Sequence, residues 1–168
     1  MSLIYSIFFA SKVSTCSDTV VELIFSVEGE GIILPTLRKK TKELFFNLLD
    51  TVNKFNSIHS NAIGIIGLSK YLENKNNKKV KKITEKLSEK LSENLSGKNL
   101  NWFWFSDEMT WGNARMPHAL LISGKVLEEN YLKILGQYAL DFLAKQSIDK
   151  QGIFHAIKNK TWYTKEMH

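Results

Sequence analysis

Residues 62–72, AIGIIGLSKYL, and residues 80–95, VKKITEKLSEKLSENL, are neighbouring segments with helical periodicity and apolar faces of very different width. In the first segment, apolar residues surround a helix almost completely, which predicts an inner helix. In the second, the apolar residues are three or four positions apart within Lys, Glu, Ser and Asn: Val80, Ile83, Leu87, Leu91 and Leu95. This narrow stripe predicts an outer, solvated helix. Together the two segments predict a helical hairpin.

Helical periodicity continues on both sides of this hairpin. Residues 36–56, 117–126 and 130–147 carry apolar residues at helical spacings, which is the pattern of amphipathic helices. The chain has only two prolines. We therefore predict an all-α fold, built as an array of αα-hairpins. The first 30 residues leave two interpretations open, two helices over residues 3–15 and 17–27 or two strands, because short apolar runs fit both.

Length, cysteine content and charge bound the class of protein. The chain has 168 residues and a net charge of +6, and its length predicts a single domain, residues 1–168. Because Cys16 is the only cysteine, neither an internal disulfide nor a cysteine-based zinc site can form, which is typical of a reducing compartment. The apolar residues 3–10 are too short to span a membrane, and we expect a cytoplasmic protein. Residues 75–82 are rich in lysine but contain no aromatic residue, so they predict a solvated helix start rather than a nucleic-acid site.

The densest group of chemically distinctive residues is WFWFSDEMTWGNARMP, residues 102–117, which we call the aromatic segment. Indole planes bind the C–H faces of sugars, while amide and guanidinium groups bind hydroxyls or anions in a fixed geometry. This composition predicts the functional surface of the protein. The residues predicted to contact a ligand are Trp102, Trp104, Trp111, Asn113, Arg115 and, later in the chain, Trp162.

Several of these residues also have a structural interpretation. The tryptophans of the aromatic segment can fill the core. Arg115 can pair with Asp107 and hold the segment onto the following helix. Asn113 can cap that helix instead of contacting a sugar hydroxyl. The sequence leaves these alternatives open.

An ordered string of uncommon residues runs from the aromatic segment towards the end of the chain. It reads Trp102-x-Trp104-Phe105-x-Asp107-x-x-Thr110-Trp111-x-Asn113-Ala114-Arg115-Met116-Pro117, then Gly152-x-Phe154, then Trp162-Tyr163. With the preceding segment from His59 to Tyr71, it resembles the α/α-toroid region of glycosyltransferase group 1-associated proteins, over residues 57–165. The resemblance implies a partial (α/α) toroid and a fragment of a larger ring, because a closed ring of this kind needs more helices than this chain supplies.

The same resemblance implies a carbohydrate-related domain of a glycosyltransferase-type protein that binds a glycan or a sugar nucleotide. Sugar isomerases and epimerases of similar architecture transfer protons through histidines, so Asp107, His118 and His155 are the candidate catalytic groups. A structural or surface role is the alternative for both histidines. No ligand cluster in the sequence predicts a metal, and no cofactor is expected. The expected macromolecular partner is a second copy or the remainder of the ring.

A second hypothesis is a non-enzymatic helical-repeat module for protein interaction. In that case Trp102, Trp104 and Trp111 would form the binding hot spot on an exposed groove.

Overall fold

The structure is a computed structural model that describes residues 35–95, 100–157 and 162–167. These residues form five α-helices and a two-stranded sheet. The helices are α1 (Pro35–Val52), α2 (Ile58–Asn74), α3 (Lys78–Glu93), α4 (Arg115–Val126) and α5 (Asn130–Ser147), and the strands are β1 (Glu108–Met109) and β2 (Tyr163–Thr164). Two short 3₁₀ turns cover Leu100–Trp102 and Lys165–Met167. The mostly helical class predicted from the sequence is confirmed, while both interpretations of the first 30 residues lie outside the described residues.

The helix α2 packs against both α3 and α4, and α3 and α4 also contact each other. Nine of its residues are buried, including Ile65 and Leu68, which have no exposed surface. In contrast, α3 buries one stripe and exposes its lysine-rich faces. The predicted hairpin of an inner and an outer helix is therefore confirmed. Gly64 of α2 lies close to the end of α1, because a Cβ there would be 3.1 Å from Val52 Cγ1.

Two lysines of α3 bind the loop between α1 and α2. Lys90 Nζ donates to Phe55 O at 2.9 Å and to Asn56 Oδ1 at 2.8 Å. Lys86 Nζ donates to Asn53 Oδ1 at 3.0 Å. Carbonyl groups after a helix have no partner within that helix, and lysines can satisfy them. These contacts connect α3 to the loop that precedes α2.

An ion pair connects α2 to α4. Glu73, in the last turn of α2, accepts from Lys70 Nζ at 2.6 Å and lies 3.4 Å from Lys125 Nζ of α4. The hydrogen bond from Lys70 is the main reason that the pKa of Glu73 lies below its ordinary value.

The helices α4 and α5 form the most closely packed hairpin among the described residues. Glu128 turns the chain between them with a φ of 63°. A Cβ on Gly124 would lie 2.9 Å from Glu129 O and 2.9 Å from Lys133 N, and a Cβ on Gly136 would lie 3.0 Å from Leu121 N. Real Cβ atoms essentially never approach backbone as closely as at Gly124 and seldom as closely as at Gly136. Glycine at these positions therefore allows the two helices to pack directly against each other.

The sheet brings two distant loops together. Glu108 pairs with Thr164 and Met109 with Tyr163, in antiparallel register. Asp107 O also accepts from Lys165 N at 2.9 Å. No local pattern in the sequence predicted a strand at these residues. Among the described helices, none is long and apolar enough to cross a membrane.

Candidate functional site

The aromatic segment divides into a buried half and an exposed half. Trp102, Trp104 and Phe105 are at most 2% exposed, whereas Trp111 is 39% exposed. The division concerns the aromatic residues, because the buried ones precede β1 and Trp111 follows it. Met116 and Pro117, at the start of α4, are again buried.

The buried half is part of the core. Trp102 stacks on Tyr163 at 5.8 Å and meets Phe142 edge to face at 5.5 Å. Its indole N–H donates to Ser106 O at 2.8 Å. Trp104 also contacts the ring of Phe142, at 6.3 Å. The side chain of Trp102 connects α5 to β2, and that of Trp104 packs against α5. Both are buried, as the alternative interpretation of the aromatic segment holds. Ligand contact by either residue stays a prediction.

The exposed half of the segment contacts the start of α2. The rings of His59 and Trp111 are stacked, with centroids 4.7 Å apart and planes inclined by 19°. His59 Nε2 lies 2.9 Å from Trp111 O. Because a carbonyl oxygen can only accept, Nε2 must carry a proton in this contact. His59 therefore holds both the backbone and the ring of Trp111.

The loop that carries Trp111 is closed by Asn113. Thr110 N donates to Asn113 Oδ1 at 3.1 Å, and Asn113 Nδ2 donates to Thr110 O at 3.0 Å. Gly112 lies between them with a φ of 61°, a backbone conformation that favours glycine. The residue before α4 is Ala114, and no side chain caps this helix. The alternative that Asn113 caps α4 is therefore wrong, and its amide stabilises the loop.

Arg115 completes the exposed half. Its guanidinium carbon lies 5.4 Å from the ring centroid of Trp111, within the range of a cation–π interaction. The side chain is half-buried. Among the described residues no carboxylate pairs with it, so the Asp107–Arg115 ion pair considered from the sequence is not formed. We call His59, Thr110, Trp111 and Arg115 the surface cluster.

His155 has polar contacts elsewhere. Its Nε2 lies 2.7 Å from Asp149 Oδ2, and its backbone N–H donates to Ser147 O. Asp149 Oδ1 in turn accepts from the backbone N–H of Ile153 at 2.9 Å. The hydrogen bond from His155 is the main reason that the pKa of Asp149 lies below its ordinary value. These contacts give His155 a role in the turn after α5 and do not connect it to the surface cluster.

The other predicted residues lie around the cluster. His118 is exposed, one helical turn after Arg115 on α4, and partial removal of water from its imidazole lowers its pKa below the ordinary value. Asp107 is exposed and directly precedes β1. Trp162 is 42% exposed beside β2. Catalytic roles for Asp107, His118 and His155, and ligand contact by Trp162, remain predictions.

Sequence reasoning assigned no site role to His59. No local pattern marks His59, because its partner Trp111 is 52 residues away in the chain. Within the described ranges, no group of three or more His, Cys, Asp or Glu side chains could hold a metal ion.

No protein-family model matches this chain, and comparison with curated proteins and with solved structures found no significant match.

Proposed function

We propose that this chain is a carbohydrate-related α/α-toroid domain of a glycosyltransferase-type protein, and that it binds a glycan or a sugar nucleotide at the surface cluster. The observation that carries the proposal is the indole of Trp111, which is partly open to solvent, stacked on His59 and adjacent to the guanidinium of Arg115. The exposed part of the indole offers an apolar surface to the C–H groups of a sugar, while the guanidinium donates hydrogen bonds to its oxygen atoms.

The contacts that hold Trp111 in place support binding of a ligand at the surface cluster. The imidazole of His59 stacks on the ring of Trp111 and forms a hydrogen bond to the carbonyl oxygen of Trp111. Asn113 stabilises the loop through two hydrogen bonds to Thr110. A side chain that is already ordered loses little conformational entropy when a ligand binds, so even a small contact area can give measurable affinity.

The architecture is compatible with the proposed ring. The helix α2 is an inner helix flanked by α3 and α4, and α4 and α5 form a second hairpin. Successive hairpins of this kind are the units from which α/α toroids are built. In this proposal the remainder of the ring, or a second copy of the chain, covers the faces that the described helices leave exposed.

A ligand-dependent thermal shift tests the proposal. The full chain is titrated with neutral and acidic monosaccharides, short oligosaccharides and sugar nucleotides, at millimolar concentration. A ligand at 100 times its Kd stabilises the folded state by about 2.7 kcal/mol. We expect at least one sugar to raise the melting temperature, and Trp111→Ala to abolish the shift.

Tyr138→Ala is the matched control, because it removes another exposed aromatic side chain, on α5. It should leave the shift unchanged. Absence of any shift with the folded wild-type chain, or an equal loss of the shift in the Tyr138→Ala variant, would contradict the proposal.

An exposed apolar stripe on α5 favours the second candidate function, a non-enzymatic protein-interaction module. Tyr131, Ile134 and Tyr138 are 45%, 55% and 59% exposed and lie on one face of the helix. Sedimentation of the wild type and of Ile134→Lys over a range of concentrations tests this candidate. Self-association that Ile134→Lys abolishes would support it, whereas a monomeric wild type at high concentration would count against an interface between copies.

A further inference from the structure

We infer that the ligand of the surface cluster is an anionic saccharide, whose carboxylate or phosphate group is bound by Arg115 while its ring lies against Trp111. This inference rests on the proposed function and adds the chemical class of the ligand. It follows from the environment of one side chain, the guanidinium of Arg115.

Arg115 is a half-buried cation without an anionic partner among the described residues. Three lysines of the described residues form ion pairs: Lys70 and Lys125 with Glu73, and Lys79 with Asp50. A charge that is partly removed from water is unfavourable unless it is compensated. The face of Trp111 compensates it only in part, because a cation–π contact at a partly exposed site is worth about 0.5–1 kcal/mol. The guanidinium therefore retains its capacity to bind an anion.

The local backbone determines where the guanidinium lies. Gly112 has a φ of 61°, and a Cβ at this position would lie 3.4 Å from Arg115 Cδ. The arginine stem thus passes beside the bare backbone of Gly112, and Arg115 N donates to Gly112 O at 2.9 Å. This arrangement brings the charged end to 5.4 Å from the indole centroid. A single small ligand can reach both groups.

The residue type also favours anion recognition. The chain contains 23 basic residues, and only two of them, Arg38 and Arg115, are arginines. A guanidinium differs from an ammonium group in its planar set of N–H donors, which bind carboxylate or phosphate oxygens in a bidentate manner. Solvated lysines would provide positive charge but not this geometry.

The charges around the cluster permit an acidic ligand. The nearest acidic residues in sequence, Asp107 and Glu108, are at the start of β1, and neither forms an ion pair with Arg115. The whole chain carries a net charge of +6, which attracts anions over distances of about a Debye length. This electrostatic attraction would not strengthen the binding of a neutral sugar.

Matched sugar pairs test the inference. Binding of glucose is compared with that of glucuronate and of glucose 1-phosphate, by ligand-observed NMR titration of the full chain. We expect the acidic sugars to bind at least about tenfold more tightly than glucose, since hydrogen bonds to an ionised partner are roughly twice as strong as neutral ones. The two acidic sugars distinguish a carboxylate from a phosphate as the preferred group.

Two variants separate the contribution of the Arg115 charge from that of the Trp111 side chain. Arg115→Gln keeps a polar side chain but removes the charge, and it should lower the affinity for the acidic sugars to that for glucose, which abolishes the preference. Trp111→Ala should weaken the binding of all three sugars. Far-UV circular dichroism of each variant checks that it is folded. Acetate and inorganic phosphate, tested alone, should bind at least tenfold more weakly than the corresponding acidic sugars.

The outcomes distinguish this inference from the proposed function. If no sugar binds, both are wrong. If glucose and the acidic sugars bind equally, or if Arg115→Gln retains the preference, the cluster is a sugar site without a specific anion contact and only this inference is wrong. If inorganic phosphate binds as tightly as glucose 1-phosphate, the cluster is an anion site that does not recognise the saccharide.

Discussion

The substitution Gly124→Ala tests the packing of α4 against α5 most directly. The added Cβ would lie 2.7 Å from Lys133 Cγ, 2.9 Å from Glu129 O and 2.9 Å from Lys133 N. The lysine side chain can move, but the two backbone atoms belong to the start of α5. The helices would therefore have to separate locally by several tenths of an ångström to reach ordinary van der Waals contact.

The expected magnitude follows from two opposing effects. Overpacking of a close contact costs about 1–3 kcal/mol, and two backbone contacts favour the upper part of that range. Replacing glycine by alanine within a helix returns about 1 kcal/mol. We expect a net loss of about 2 kcal/mol in the free energy of unfolding, which for a chain of this length lowers the melting temperature by about 4–8 °C.

Urea unfolding followed by far-UV circular dichroism measures the effect, and Gly64→Ala is the matched control. A Cβ on Gly64 would be 3.1 Å from Val52 Cγ1 and 3.4 Å from the ring of Phe55, both of which are side-chain atoms that can yield. Gly64→Ala should change the stability by less than about 1 kcal/mol, since helix propensity offsets the contact. A Gly124→Ala variant as stable as the wild type would refute the close packing of α4 on α5.

Substitutions at three further positions have defined outcomes. Glu73→Gln removes a carboxylate whose pKa is lowered mainly by Lys70. Because a carboxylate with a lowered pKa stabilises the folded state at pH values above its unfolded pKa, the variant should lose about 0.5 kcal/mol of the free energy of unfolding near neutral pH. Urea unfolding should show this difference vanishing as the pH falls below about 4, and a difference that persists in acid would contradict the ion pair. Asn113→Ala removes both hydrogen bonds to Thr110 and should cost about 1–2 kcal/mol in thermal unfolding. Asn113→Asp keeps the acceptor for Thr110 N but places a carboxylate oxygen opposite Thr110 O, so it should also be less stable than the wild type; an Asn113→Asp variant as stable as the wild type would argue against the observed amide contacts. Trp104→Ala should cost about 3–5 kcal/mol because the side chain is fully buried. Trp104→Phe should cost less, because it keeps an aromatic ring and removes an indole N–H that has no partner among the described residues. Denaturant unfolding that shows a negligible loss of stability for Trp104→Ala would contradict this burial.

The helices were predictable because their signal is local. Apolar residues three and four positions apart must lie on one side of a helix, whatever else the chain does. Residues 130–147 were predicted as a helix, and α5 covers Asn130–Ser147. The widths of the apolar faces also distinguished the inner α2 from the outer α3, since burial on several sides requires apolar residues on several sides.

The fate of the aromatic segment was only partly predictable. Its sequence indicated a special role, but Trp104 and Trp111 are the same residue type seven positions apart, and one is in the core while the other is exposed. Trp104 packs against Phe142 of α5, whereas Trp111 stacks on His59 of α2. Neither contact has a local sequence signal, because each partner is tens of residues away.

By itself the sequence determined the helical class, the approximate limits of the helices after residue 35 and the order of inner and outer helices. It did so because helix formation and amphipathic burial depend on near neighbours along the chain. Only the tertiary structure decided which aromatic residues are buried, that residues 108–109 pair with residues 163–164, and that His59, Trp111 and Arg115 meet at the surface. These contacts join residues that are distant in sequence, so their geometry is set by how the helices and loops pack and not by local periodicity.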